Sequence, residues 1–101
     1  MRKYDKVVIK KSTKSNKKMM ATFSNTSQEA SGRTIHFGQA GADDYTRTRD
    51  KAQRSRYISR HRRNERWTVA DTAGSLSRYI LWNKETKRAS IIDYKTRFNL
   101  K

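Results

Sequence analysis

The sequence contains no cysteine, no proline and only four glycines among its 101 residues. Without cysteine, the chain can form neither disulfide bonds nor thiolate metal sites. Without proline, the ends of helices and strands must be read from glycine, asparagine and helix-capping residues. Long apolar runs are also missing: no stretch approaches the ~20 residues of a membrane span, and the apolar segment after the basic first residues is too short for a signal peptide. We therefore expect a soluble intracellular protein.

Acidic residues are scarce in this chain. Nine Asp and Glu residues stand against 25 Lys and Arg residues, which gives a formal net charge of +16. A field of this sign attracts polyanions, whether nucleic acid, an anionic membrane surface or an acidic protein face. Hydrophobic residues make up only 33% of the chain. A single small domain of this composition has a thin core, so we expect partners to contribute to its stability.

The positive charge is concentrated in two blocks around a weakly acidic centre. Residues 1–18 carry eight basic side chains, mostly lysine, and one acid. Residues 46–66 carry nine basic side chains, almost all arginine, and two acids. An ammonium group is a strongly hydrated point charge, whereas a guanidinium group makes planar, forked contacts with carboxylates and phosphates. The pattern predicts a lysine block that faces solvent or a polyanion loosely, and an arginine block suited to defined contacts.

The first half of the chain has the alternating apolar pattern of short β-strands. Three strands in succession favour an antiparallel meander. The strands are predicted for YDKVVIKKS at 4–12, MMATFSN at 19–25 and RTIHFG at 33–38, with polar turns at 14–18 and 26–32 and a loop at 39–49.

The second half of the chain has helical periodicity. Asp50 is a candidate N-cap for a helix over 51–63, and a second helix is predicted over 72–82. Ser90 and Asp93 form a capping-box-like pair for a third helix that contains IIDYKTRF.

These elements predict one α+β domain over residues 1–101. Its three-stranded antiparallel sheet, from residues 4–37, is packed by two to three helices from residues 50–98. The choice between Val7 and Val8 as the inward residue is arbitrary, because a register slip of one residue turns every side chain to the other face. The predicted core consists of Val8, Phe23, Ile35, Phe37, Ile58, Leu76, Ile80 and Trp82.

The stretch RSRYISRHRRNERW at 54–67 contains six arginines and no lysine. On a helix, Arg56, Arg60 and Arg63 form a stripe with i, i+4, i+7 spacing. A run of surface charge is usually a solvated helix face, but here only Asp50 and Glu65 are close enough in sequence to neutralise it. The stripe therefore favours an anionic partner. It lies opposite an apolar face that is made of Arg54, Tyr57, Ile58 and His61.

Arg54 is a separate case, because it falls on the apolar face one turn after Asp50. We expect it to form an internal ion pair with Asp50, Asp43 or Asp44. The aromatic side chains of this region also border apolar faces, which favours packing in the core over stacking on nucleic-acid bases.

The candidate residues for binding a partner or polyanion come from both basic blocks. They are Arg56, Arg60, Arg62, Arg63, Arg66, Lys10, Lys11, Lys14, Lys17 and Lys18. No catalytic residue, cofactor site or metal site is predicted. GQAGAD lacks the lysine of a phosphate-binding loop, and His36 and His61 without cysteine make a poor metal site. We expect a protein that is not an enzyme and has no small-molecule substrate.

Several segments also form a recognisable series. They are HFG at 36–38, DYT at 44–46, RYISRH at 56–61, Trp67, AG at 73–74, SRYILWNK at 77–84 and SIID with RF within 90–98. In this order and spacing they resemble a family of small basic proteins of nucleocytoplasmic large DNA viruses, the phycodnavirus- and mimivirus-like giant viruses. The resemblance implies a viral protein that is made in the host cell and packaged, and it implies no catalytic residues.

Two functions are open at this point. The first is a structural virion component, a minor capsid protein on the inner side of the shell, made in the host cytoplasm during assembly. Its arginine stripe would bind acidic faces of other capsid proteins. Its lysine-rich strand would add to a neighbour's sheet or face an anionic internal membrane. The alternative is a nucleic-acid-binding protein that condenses or escorts viral DNA through phosphate contacts.

Overall fold

A three-stranded antiparallel sheet forms the first half of the chain and helices form the second half, which confirms the α+β prediction. The computed structural model describes residues 4–26 and 28–101, and for residues 28–31 it describes the backbone alone. The strands are β1 (Lys6–Lys11), β2 (Lys17–Asn25) and β3 (Gln28–Gln39). The helices are α1 (Tyr45–Thr48), α2 (Lys51–His61), α3 (Ala73–Leu76), a π-helical segment (Ser77–Leu81) and α4 (Lys87–Arg97).

The central strand β2 sets the inner face of the sheet. Met19, Ala21 and Phe23 are buried at alternate positions, as their spacing predicts. Because Val7 is directly paired with Phe23, it shares that face and is 1% exposed. Val8 points to the other face and is 38% exposed, so the prediction of Val8 as a core residue is wrong.

The connection between β2 and β3 is shorter than predicted. Strand β3 begins at Gln28, and Asn25 is paired with Gln28 after a register shift. Most of the predicted polar turn at 26–32 is therefore extended backbone, and Ser27 lies outside the described residues. Strand pairing along the whole of β2 overrides the turn preference of a Ser- and Gly-containing segment.

A short helix lies in the segment predicted as a loop. Asp44 caps α1, because its carboxylate accepts a hydrogen bond from the Thr46 amide. Asp50 caps α2 as predicted and accepts from the amide of Gln53. Helix α2 ends at His61, two residues earlier than predicted.

The predicted helix over 72–82 is present, but it changes type along its length. Thr72 caps α3, which runs directly into the π-helical segment. A π-helical turn accommodates one extra residue per turn, and here Leu76, Ile80 and Leu81 are all buried.

The start of the last helix differs from the prediction. Thr86 caps α4 by accepting from the amide of Ala89. Ser90 is buried inside the helix, where its hydroxyl accepts from the Lys84 amide. A hydroxyl in the first turn is therefore used to fasten the preceding loop, and the Ser90–Asp93 capping pair is a wrong prediction.

The core lies between the inner face of the sheet and the helices. Phe23, Phe37, Leu76, Ile80 and Trp82 are buried as predicted. Ile35 and Ile58 are half-buried at the margin of this core. It also contains residues that the list of predicted core residues omits, namely Val7, Met19, Ala21, Tyr45, Tyr57, Leu81 and Tyr94.

Candidate functional site

A cleft of about 660 Å³ opens at one end of the sheet. Its walls are the start of β2, the end of β3, one face of α2 and the π-helical segment. Lys17 enters it from the lysine block, and Arg56 and Arg60 enter it from the arginine block. Two groups of charge that lie about 40 residues apart in sequence therefore meet in one concavity.

Aromatic side chains form the floor of this cleft. The ring of Tyr57 lies between those of His61 and Trp82, with centroid distances of 4.2 and 4.4 Å. Tyr57 and Trp82 are buried, so they support the cleft without offering a free face to a base. Burial raises the pKa of the Tyr57 phenol, so this group stays neutral. The expectation that these rings pack in the core is confirmed.

Glycine at position 38 allows the cleft wall to form. Gly38 has a backbone φ of 79°, a conformation that favours glycine, and a Cβ there would lie 2.7 Å from Cδ1 of Leu81. The bare backbone therefore lets β3 approach the π-helical segment closely.

Three of the four Lys and Arg side chains that line the cleft are available for a ligand. Among the side chains that the structure describes, none forms an ion pair with Lys17, Arg56 or Arg60. The two acids at the cleft have other partners. Asp43 lies 3.9 Å from Nη1 of Arg47. The Glu65 carboxylate is 3.2 Å from Nδ1 of His61 and accepts a 2.9 Å hydrogen bond from Nε1 of Trp67.

Lys18 is engaged in a different way from its neighbour Lys17. Its ammonium group donates to the carboxylate of Asp44 and to the carbonyl of Ala42, and its side chain is only 12% exposed. Burial alone would raise the pKa of Asp44, but the hydrogen bonds from Lys18 and Thr46 outweigh that effect and lower it. Lys18 is therefore a structural residue, and we remove it from the candidate set.

A second depression of about 930 Å³ adjoins the cleft. It lies between the β1–β2 turn and the β3–α1 loop, and Lys17 lines both concavities. Its other cationic residues, apart from Lys18, are Lys11, Lys14, Arg47 and Lys87. We call the two concavities together the basic end of the sheet. Sequence reasoning missed Arg47 and Lys87, because the first was assigned to a loop and the second is isolated from both blocks.

The remaining candidates lie outside these concavities. Arg62 is the C-cap of α2, and Arg63 and Arg66 are exposed in the segment that follows it. Lys10 is exposed on β1. Since α2 ends before Arg63, the predicted three-residue stripe is reduced to Arg56 and Arg60. These two line the same cleft as Tyr57 and His61, so they do not lie opposite them as predicted.

Arg54 does not make the predicted ion pair. Its guanidinium lies 4.5 Å from the centroid of the Tyr45 ring, and its Nη1 donates a 2.8 Å hydrogen bond to the carbonyl of Asn83. The three acids proposed as partners are occupied. Lys18 holds Asp44, Arg47 lies beside Asp43, and Asp50 caps α2.

Two other kinds of feature, a metal-binding cluster and a membrane-spanning helix, were sought in the described residues. In residues 4–26 and 28–101, no group of three or more His, Asp or Glu side chains is placed to hold a metal ion. Within the same residues, no helix is both long and apolar enough to cross a membrane.

Residues 7–61, more than half of the chain, match a family of unknown function (DUF5754). The chain belongs to this family. Comparison with curated proteins found no match, and neither did comparison with solved structures. The family segment runs from β1 to the end of α2, so it contains the three free cations of the cleft. The π-helical segment, which supplies the opposite wall, lies beyond it.

Proposed function

We propose that this chain is a non-enzymatic nucleic-acid-binding protein that holds phosphates at the basic end of the sheet. The observation that carries this proposal is the meeting of the two basic blocks at Lys17, which lines both concavities. Neighbouring cations without an internal partner, such as Lys17, Arg56 and Arg60, suit a ligand that repeats its negative charge, and nucleic acid does so at every phosphate.

The internal pairing of the acids supports the same function. Asp44 is paired with Lys18, and the Glu65 carboxylate is held by His61 and Trp67, so neither acid is paired with the free cations of the cleft. Lys17, Arg56 and Arg60 form no ion pair with any described side chain. Guanidinium groups also match phosphate geometry through paired hydrogen bonds.

The resemblance to proteins of large DNA viruses extends this proposal. If the chain is viral, the nucleic acid is viral DNA, and the protein condenses or escorts it in the infected cytoplasm and in the particle. The contacts are to phosphates, so we propose binding without strong sequence preference.

The salt dependence of DNA binding tests this proposal. The variant Lys17→Ala/Arg56→Ala/Arg60→Ala removes the three free cations of the cleft. We expect the slope of log affinity against log salt to flatten by about 2–3 units, at roughly 0.9 per duplex phosphate contact. The matched control is Lys6→Ala/Lys84→Ala/Arg88→Ala, which removes the same charge from exposed positions outside both concavities. We expect that control to change the slope by less than about one unit.

Two results would count against the proposal. Equal changes in slope for both triple variants would mean that binding depends on net charge and not on the basic end of the sheet. Absence of DNA binding by the unmodified chain at low salt would remove nucleic acid as the partner.

A structural virion component is the second candidate. It is favoured by the exposure of the five candidate arginines of the second block, Arg56, Arg60, Arg62, Arg63 and Arg66. Guanidinium forks also match the carboxylates of an acidic protein face. Replacement of Arg62, Arg63 and Arg66 by alanine should then reduce incorporation into particles while DNA binding persists. Unchanged incorporation would contradict this candidate.

A further inference from the structure

We infer that the cleft between β2, β3 and α2 is a discrete site for a phosphomonoester, carried either by a free nucleotide or by the phosphorylated end of a nucleic-acid strand. This inference deepens the proposed function, and it rests on that function where the phosphate belongs to a strand end. It concerns only the cleft and not the lysine-lined groove beside it.

Three cations converge on the cleft from two of its walls. Lys17 comes from the sheet, whereas Arg56 and Arg60 come from successive turns of α2, so the charges enter the cleft from two walls. A terminal phosphate carries a charge of about −1.5 to −2 at pH 7 and presents three acceptor oxygens. An internal phosphodiester carries a single charge and has two free oxygens. Converging cations therefore favour the terminal group.

The shape of the site also supports this inference. A volume of about 660 Å³ falls within the range of small-ligand pockets, ~300–1,000 Å³. The floor is made of buried Phe37, Tyr57 and Trp82. A concavity with a closed apolar floor admits the end of a strand or a single nucleotide more easily than the middle of a duplex, which would have to enter and leave it.

The Glu65 carboxylate at the cleft is held in place by its neighbours. Glu65 is held by His61 and Trp67, and a Cβ on Gly74 would lie 2.7 Å from Oε2 of this carboxylate. The only glutamate at the cleft among the described residues is thus fastened against the wall by contacts on several sides. The three cations keep the open part of the cleft positive.

The experiment compares two single-stranded 12-mer oligonucleotides of identical sequence, one with a 5′-phosphate and one with a 5′-hydroxyl. Affinities are measured by fluorescence anisotropy with a 3′ label. We expect the phosphorylated strand to bind about tenfold more tightly, the equivalent of one additional charge-assisted hydrogen bond. In Arg56→Ala/Arg60→Ala the ratio should fall to about one. In the control Arg62→Ala/Arg63→Ala, outside the cleft, the ratio should persist.

Competition by adenosine monophosphate, adenosine and inorganic phosphate separates the two sources of the phosphate. Displacement by the monophosphate, but not by adenosine, assigns the cleft to free nucleotides. Preference for the phosphorylated strand without such competition assigns it to strand ends. A conservative variant, Arg56→Lys/Arg60→Lys, keeps the charge and should retain part of the preference, which guards against loss of folding as the cause.

Equal affinity for both strands, together with no competition by monophosphate or inorganic phosphate, would overturn this inference. If both strands then bind equally, and Lys17→Ala/Arg56→Ala/Arg60→Ala still flattens the slope of log affinity against log salt, the proposed function stands and only the phosphomonoester site fails. If neither strand binds but isothermal titration detects the monophosphate in the cleft, the nucleic-acid proposal fails and the site stands.

Discussion

Two pairs of arginines in this molecule serve opposite purposes. Arg54 and Arg78 donate hydrogen bonds to the carbonyls of Asn83 and Trp82, the two residues that follow the π-helical segment. We call them the helix-capping arginines, because they donate to carbonyls at and just beyond the C-terminal end of this helix, where the helix itself provides no donor. Arg56 and Arg60 line the cleft and form no ion pair with any described side chain. We call them the cleft arginines.

The environment of each pair explains the difference. The guanidinium of Arg78 lies 5.5 and 5.0 Å from the centroids of Trp67 and Tyr79, and burial lowers its pKa. Aromatic rings and carbonyl oxygens compensate for part of its lost hydration. The cleft arginines are exposed to solvent and form no ion pair with a described side chain. The comparison teaches that a count of arginines does not measure a binding surface, because some of them belong to the packing.

The largest expected loss of stability is that caused by removing the ring of Trp82, which contacts both the cleft and a helix-capping arginine. Trp82 stacks on Tyr57 beneath the cleft, and its carbonyl accepts from Arg78. Trp82→Ala should reduce the free energy of unfolding by about 3–5 kcal/mol, a typical cost for a buried aromatic side chain. Chemical denaturation followed by circular dichroism measures it. An unchanged unfolding midpoint would show that the two regions do not share a core.

The buried ion pair between Lys18 and Asp44 should produce the next largest effect. Asp44→Asn leaves the Lys18 ammonium with no anion, and we expect a loss of about 3 kcal/mol at neutral pH. The pKa of Asp44 is lowered by folding, so its contribution is present above the unfolded-state value of about 3.9. It is lost as the pH falls through the lower folded-state value. The difference between the native chain and the variant should therefore shrink below about pH 4. A difference that does not shrink at all as the pH falls from 5 to 2 would contradict the pairing.

A matched pair of substitutions sharpens the comparison of the arginines directly. Methionine keeps most of the apolar stem and removes the guanidinium. Arg54→Met should cost about 1–3 kcal/mol of stability, because the Asn83 carbonyl loses its donor and the Tyr45 ring loses its cation. Arg56→Met should stay within about 0.5 kcal/mol. Thermal unfolding compares the two variants under one condition, and equal losses would remove the distinction between capping and cleft arginines.

The smallest expected effect has the opposite sign. Arg56 and Arg60 are like charges four residues apart on α2, an arrangement that destabilises a helix by about 0.2–0.5 kcal/mol. The double variant Arg56→Met/Arg60→Met should therefore be slightly more stable than the native chain at low salt. The gain should fade at high salt, where surface charges are screened. Loss of stability at low salt would mean that the cleft arginines have a structural role.

The boundary of the family segment adds a second contrast within the cleft. The cations lie within residues 7–61, whereas Leu81 and Trp82 of the opposite wall lie outside them. The charged wall of the cleft thus lies within the segment that matches the family. The apolar wall comes from the following part of this chain.

The sequence by itself determined the three strands, the longer helices and the two blocks of positive charge. Alternating apolar residues predicted the strands, helical periodicity predicted two later helices, and Asp50 predicted the start of α2, because each of these signals acts over a few neighbouring residues. The two basic blocks were equally plain from composition. Helix α1 was not predicted, because its four residues are too few to show helical periodicity.

Only the tertiary structure decided which charges are free. Lys17 and Lys18 are adjacent in sequence and chemically identical, and both line the cleft. Lys18 is paired with Asp44, whereas Lys17 forms no ion pair with any described side chain. Strand register chose Val7 over Val8, since one step along a strand reverses the face. The acids nearest to Arg54 are bonded to other groups, so its guanidinium donates a hydrogen bond to a carbonyl 29 residues away in sequence. Such outcomes depend on competition between groups that are distant in sequence, and only the packed chain brings those competitors together.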